Sequence, residues 1–236
     1  MSTQQRTGDA GMGSKPPAAQ RPGGPTRLLI TDPLHPVVEC TVGPLKARHP
    51  GTLAVFGVSP IDGAVPPPSL ESIFVCPATD DPRFAPALVE LVGRNRIDVV
   101  LPWTDTDALL ISRHAPELTA AGAQVACAPA ELVQLACDKW TTLQRLVELS
   151  VPVPETCLVR SAGELAYAAR ALGYPARPLL LKPRGLAGSR GVWSIRAEVD
   201  LTWTGPRPRL PLEAIQTAVS MMDGPIELLV QEDVPA

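Results

Sequence analysis

The sequence predicts an α/β protein in two parts, and three observations carry that expectation. Short apolar runs alternate with helical patterns between Arg27 and Cys127, which implies a doubly wound, mostly parallel sheet. From Pro129 onward the pattern changes to helices mixed with strand–turn–strand segments, an α+β arrangement. Ahead of both, residues 1–26 are rich in Gly, Pro, Ser, Gln and Ala with almost no large apolar side chain, the composition of a disordered tail. The expected organisation is therefore a tail at 1–26, a first domain at 27–128 and a second at 129–236.

In the first domain, Arg27–Thr31, Leu53–Val58, Ser72–Pro77, Ile97–Pro102 and Gln124–Cys127 read as short buried strands. Phe84, Leu88, Leu91 and Val92 recur at helical spacing within 81–97, and 105–114 is a second helical stretch. Lys46 falls in what reads as a loop. In the second domain, 130–136 and 138–149 read as helices, and Val151-Pro152-Val153-Pro154 must be extended. A strand at 155–160 leads to Ser161 and Glu164, spaced as a capping box for a helix ending at Gly173-Tyr174-Pro175. Strand, glycine loop and strand fill 179–195. A helix near 212–222 and a final strand at 226–231 follow.

Composition narrows the function. The chain has 236 residues, is 45% hydrophobic and 19% charged, and carries a formal charge of −3, so it offers no basic footprint for nucleic acid or anionic membrane. Five cysteines, odd in number and never spaced C-x-x-C, read as small buried hydrophobes in a reducing compartment. Three histidines show no metal-ligand spacing, so no metal ligand is assigned. No apolar run approaches the roughly 18 residues of a membrane span, and the N-terminus lacks a secretion core. The cytoplasm is the expected location.

Chemistry concentrates at Leu179-Leu180-Leu181-Lys182-Pro183-Arg184-Gly185, continuing through Gly188, Ser189 and Gly191. Pro183 biases Lys182 to extended backbone, so the lysine closes a strand. The glycines permit close backbone approach, and their N–H groups can cradle phosphate oxygens. Two readings fit: a loop that grips a nucleotide triphosphate, or an ordinary hairpin with a solvated lysine. A Walker A motif is excluded, because no Gly-Lys-Ser/Thr opens a helix here. Lysine is scarce, 4 against 17 arginines, so Lys139 and Lys182 stand out.

Taken in order, Asp138-Lys139-Trp140, Val151-Pro152-Val153-Pro154, Leu181-Lys182-Pro183 with the Gly185–Gly191 loop, and Leu229-Val230-Gln231-Glu232-Asp233-Val234 resemble an ATP-grasp enzyme. The likeness is nearest to proteins similar to the carbamoyl-phosphate synthetase large subunit. In that family a Rossmann-like pre-ATP-grasp domain comes first, and its signature resembles Asp98-Val99-Val100-Leu101-Pro102-Trp103-Thr104-Asp105-Thr106-Asp107-Ala108-Leu109.

The resemblance implies that Lys139 and Lys182 contact the nucleotide, Lys182 at the α- and β-phosphates. It makes the Gly185, Gly188, Ser189 and Gly191 loop a lid, and 231–234 the adenine hinge. At that hinge Gln231 lies alongside, the Glu232 carbonyl accepts from adenine and the Val234 N–H donates to it. Each residue also has a plainer reading. Lys139 can be a first-turn lysine behind an Asp138 cap, Arg184 and Arg190 solvated arginines, and 231–234 an acidic strand end. Asp107 can be a first-turn residue favoured by the helix dipole. The implied cofactors are ATP and Mg2+, with the metal ligands expected beyond Ala236. The implied reaction is ATP-dependent ligation of a carboxylate to an amine through an acylphosphate, and the expected partners are ATP and a small carboxylate or amine. A catalytically silent nucleotide-binding fragment that needs a second chain is the alternative, and a generic small-molecule module is a third.

Overall fold

The computed structural model describes residues 24–185, 188, 190–198, 205 and 207–234; of the tail expected at 1–26, residues 1–23 lie outside the described residues, and Thr26 already opens the first strand. The chain divides after Cys127 into two compact units.

The first unit runs β1 (Thr26–Thr31), α1 (Val37–Arg48), β2 (Leu53–Ser59), β3 (Ser72–Val75), α2 (Phe84–Arg94), β4 (Val99–Leu101), α3 (Asp105–Arg113), α4 (Ala115–Ala120) and β5 (Gln124–Val125). Its five strands are all parallel, in the order β3-β2-β1-β4-β5. Alternation along β1 explains the layering. Leu28 and Ile30 pack with Val38 and Val42 of α1, while Leu29 packs with Leu88 and Val92 of α2 and Leu118 of α4. Buried on both faces, the strands read as continuous apolar runs.

Two expectations change here. α1 was not legible: Gly43-Pro44 sits inside it, and only Val38 and Val42 are buried. Lys46 therefore lies on a helix, and its ammonium donates to the Ser69 carbonyl and the Glu71 carboxylate, each at 2.8 Å. The cysteines are also less uniform than expected. Cys76 is buried, which pushes its thiol up to about 11, while Cys40 is exposed.

Gly57 is required where β2 passes Pro33. An added Cβ would meet Pro33 Cβ at 2.4 Å and Cγ at 2.7 Å. Gly57→Ala is expected to cost ~1–3 kcal/mol by overpacking, read from urea unfolding. An unchanged midpoint would mean that the Pro33 turn gives way freely.

The second unit runs α5 (Ala130–Cys137), α6 (Lys139–Glu148), β6 (Thr156–Val159), α7 (Ala162–Ala171), β7 (Leu179–Pro183), β8 (Trp193–Ile195), β9 (Arg209–Leu210), α8 (Leu212–Ser220) and β10 (Leu228–Glu232). The sheet order is β6-β10-β7-β8-β9, antiparallel except for the parallel β8–β9 pair. The last strand in sequence is thus inserted between β6 and β7. Ser161 caps α7 by accepting from the Glu164 N–H at 3.1 Å, but the Glu164 carboxylate turns to the Arg160 N–H rather than to Ser161. Helices α7 and α8 seal one sheet face, where Leu165, Ala168, Ile215 and Val219 meet Leu179, Leu181, Leu228 and Val230.

Candidate functional site: a lysine face on the second sheet

Register decides what lies on the face turned away from α7 and α8. Lys182 pairs with Leu229, and Leu180 pairs with both Gln231 and Ser194. Strand side chains alternate, so Leu180, Lys182, Leu229, Gln231 and Ser194 share that face. Lys182 is half-buried rather than solvated at a strand end, and its ammonium donates to the Gln231 amide oxygen. Gln231 is itself only 5% exposed. Burial holds the Lys182 pKa below the usual lysine range, and the neighbouring cations Lys139 and Arg207 lower it further. A half-buried ammonium that bonds a neutral amide and faces other cations is suited to an anion.

Lys139 arrives from α6. Asp138 is the N-cap of that helix, accepting from the Trp140 and Thr141 N–H groups at 3.1 and 3.2 Å. The Lys139 N–H donates to the Arg184 carbonyl at 3.2 Å, and its ammonium reaches the same oxygen at 3.5 Å. The helix start is therefore fastened to the chain just beyond β7.

Arg184 is not a solvated arginine. Its guanidinium donates to both oxygens of Asp138, to Glu227 at 3.0 Å and to Thr141 at 3.4 Å. Arg160 takes the other Glu227 oxygen at 3.0 Å. The Arg184 fork holds the Asp138 carboxyl well below its ordinary 3.8, and Asp138 raises Arg184 in turn. A carboxyl depressed in the folded state stabilises the fold above its unfolded value, and that contribution is lost as the pH falls through the folded value. Melting temperature should therefore drop between about pH 5 and pH 2, and Asp138→Asn should flatten part of that limb. Superimposable pH profiles of the two proteins would contradict the pairing.

The remaining expected residues are scattered around this core. Gly185 is exposed just after β7, and Gly188 and Gly191 turn toward β8 with φ of 65° and 67°, the left-handed region that favours glycine. Ser189 lies outside the described residues. Glu232 closes β10, and both its N–H and its carboxylate bond the backbone of Glu155, at 3.0 and 3.1 Å. Asp233 is paired with Arg196, and Val234 is exposed beyond the strand. The structure brings Lys139, Lys182 and Gln231 together. The Gln231 bond to Lys182 and the Arg184 clasp were missed, because both join residues 43 or more positions apart and depend on register.

The first unit has its own feature. Asp107, 4% exposed, accepts from the Thr31 hydroxyl at 2.6 Å and the Thr79 hydroxyl at 2.7 Å, at the C-terminal ends of the parallel strands. It lines a cleft of about 500 Å³ together with Asp32, Ser59 and Phe84. A first-turn position on α3 accounts for only part of its setting. Among the described residues, no group of three or more His, Cys, Asp or Glu is placed to hold a metal ion. No helix among them is long and apolar enough to cross a membrane.

No family model matches the chain. Over 122 residues, 51% of this chain, it is 31% identical to the carbamoyl phosphate synthase large chain of Rubrobacter xylanophilus, and it spans 11% of that protein. Among solved structures it resembles the ADP complex of an N5-carboxyaminoimidazole ribonucleotide synthetase, with a TM-score of 0.59 and 17% identity over 90% of this chain. It also resembles a RimK domain ATP-grasp protein of Sphaerobacter thermophilus, with a TM-score of 0.50 and 20% identity over 89% of this chain. The chain spans 48% and 64% of those two proteins.

Proposed function

The chain has the ATP-grasp fold, and on that premise we propose that the lysine face of the second unit binds the polyphosphate of ATP. The observation that carries this reading is the convergence of Lys139 and Arg207 on a half-buried Lys182 whose own bond is to a neutral amide. A half-buried ammonium held only by a neutral amide is stabilised when an anion arrives. In this reading Lys182 meets the α- and β-phosphates, Lys139 adds a second ammonium, and the N–H groups of Gly185, Gly188 and Gly191 add donors to the phosphates. Gln231 orients Lys182, and the backbone at Glu232 and Val234 meets adenine.

The reaction class is ligation of a carboxylate to an amine. A carboxylate oxygen attacks the γ-phosphorus and ADP leaves; the amine nitrogen then attacks the acyl carbon, phosphate leaves and the nitrogen loses a proton. A carbamoyl phosphate synthase and an N5-carboxyaminoimidazole ribonucleotide synthetase, to which the chain is similar, fit a chemistry of this kind. The residues fit polyphosphate. They do not form a carboxylate set for magnesium, so magnesium is expected to enter with the nucleotide.

Thermal stabilisation tests the reading. Mg-ATP at about 100 times its dissociation constant should stabilise the protein by ~2.7 kcal/mol, whereas adenosine at the same concentration should do much less. Equal shifts with both ligands would mean that the lysine face is not the phosphate seat.

A further inference from the structure

We propose that Arg184 is a positioning residue, which clasps the start of α6 against the end of β7 so that Lys139 and Lys182 present a single seat for polyphosphate. The inference rests on the proposed nucleotide reading of the lysine face. It assigns a role to a side chain that touches neither lysine's ammonium.

The geometry is a two-sided grip. On one side, the Arg184 carbonyl receives the Lys139 N–H at 3.2 Å and the Lys139 ammonium at 3.5 Å. On the other, the guanidinium engages both oxygens of Asp138, the residue immediately before Lys139, with one contact at 2.8 Å. The third nitrogen of the fork is anchored to Glu227 at 3.0 Å, and the Arg184 N–H bonds the Glu227 carbonyl at 3.1 Å. Glu227 directly precedes β10, the strand that supplies Gln231 to Lys182. Three segments of the second unit therefore meet at one guanidinium: the cap of α6, the end of β7 and the approach to β10.

A planar fork suits this task. It satisfies a carboxylate through two parallel bonds and still has a donor for a second acid, which a lysine ammonium would do only as a point charge. The clasp is needed because the charge of Lys139 disfavours that of Lys182, whose ammonium burial already penalises. Without it, the cheapest response is for the first turn of α6 to swing Lys139 into solvent. The ion pairs at Asp138 and Glu227 oppose that motion, so the seat exists before the phosphate arrives and less ordering is charged to binding.

The test uses the 236-residue chain, with Mg-ATP as ligand, and measures dissociation constants together with the pH at which Lys182 becomes acylated. Arg184→Gln is expected to weaken Mg-ATP roughly 3- to 30-fold, less than Lys182→Ala, because it misplaces one ammonium instead of deleting one. It should also move Lys182 titration upward toward its ordinary 10.5, since Lys139 is then free to leave. A merely structural arginine would not move that titration. Arg184→Lys should rescue part of each effect. If Arg184→Gln does not fold, Asp138→Asn serves instead, because it keeps a cap acceptor for α6 while weakening the pair, and both readouts should move in the same direction. ATP affinity unchanged within about twofold and an unmoved Lys182 titration in the folded variant would overturn the positioning role. If Lys182→Ala still weakens ATP in that case, only the clasp fails. If Lys182→Ala also has no effect, the nucleotide reading fails and takes the clasp with it.

Discussion

Lys182→Ala is expected to weaken Mg-ATP by the worth of a charge-assisted hydrogen bond, roughly 1.5–3 kcal/mol. That corresponds to about a 10- to 150-fold rise in the dissociation constant. Folding stability should hardly change. The ammonium is half-buried beside other cations, so its removal relieves repulsion while costing one bond to Gln231. Lys182→Arg should restore only part of the affinity, because a planar fork does not replace a compact ammonium in a space set by Gln231 and Lys139. Titration calorimetry of the three proteins checks this, and an Ala variant within about twofold of the unsubstituted chain would remove Lys182 from the site.

Its neighbour should behave in the opposite way. Leu181 points to the other face, where it is fully buried among Leu165, Ile215 and Val230. Leu181→Ala leaves a cavity between sheet and helices and should cost ~2–5 kcal/mol. For a unit of about a hundred residues that lowers the melting temperature by at least roughly 4 °C per kcal/mol. ATP affinity of the remaining folded fraction should be nearly normal, since no atom of Leu181 lies on the lysine face. A Leu181→Ala protein that melts normally but loses ATP would reverse the two faces of β7 and with them the whole construction of the site. The two adjacent substitutions thus separate packing from binding on one strand.

The sequence carries this strand in plain form and the site only in part. The apolar run ended by Lys182-Pro183 is a strand because proline biases the residue before it to extended backbone, and the structure places β7 at Leu179–Pro183. The parallel sheet of the first unit was likewise legible, since strands covered on both faces read as unbroken apolar runs. Helix α1 was not, because Gly43 and Pro44 look like a loop until Val38 and Val42 are seen packed against Leu28 and Ile30. What the sequence could not carry is register. That β10 slides between β6 and β7 to set Gln231 against Lys182, or that Arg184 meets Asp138 from 46 residues away, follows from pairings that no local pattern encodes. Asp107 illustrates the same limit: its spacing in the 98–109 signature was visible, but the hydroxyls of Thr31 and Thr79 that hold it were not.

The scarcity of lysine makes the central claim directly testable. Only Lys15, Lys46, Lys139 and Lys182 can be acylated in this chain, apart from its N-terminus. Lys46 serves as an internal control, because it is paired with Glu71 in the first unit. Competitive acylation of the 236-residue chain, read by mass spectrometry with and without saturating Mg-ATP, reports each lysine separately. A polyphosphate seat built from α6 and β7 predicts that nucleotide protects Lys139 and Lys182 together while Lys46 and Lys15 react as before. Nucleotide that leaves Lys139 and Lys182 as reactive as they are without it would contradict that seat.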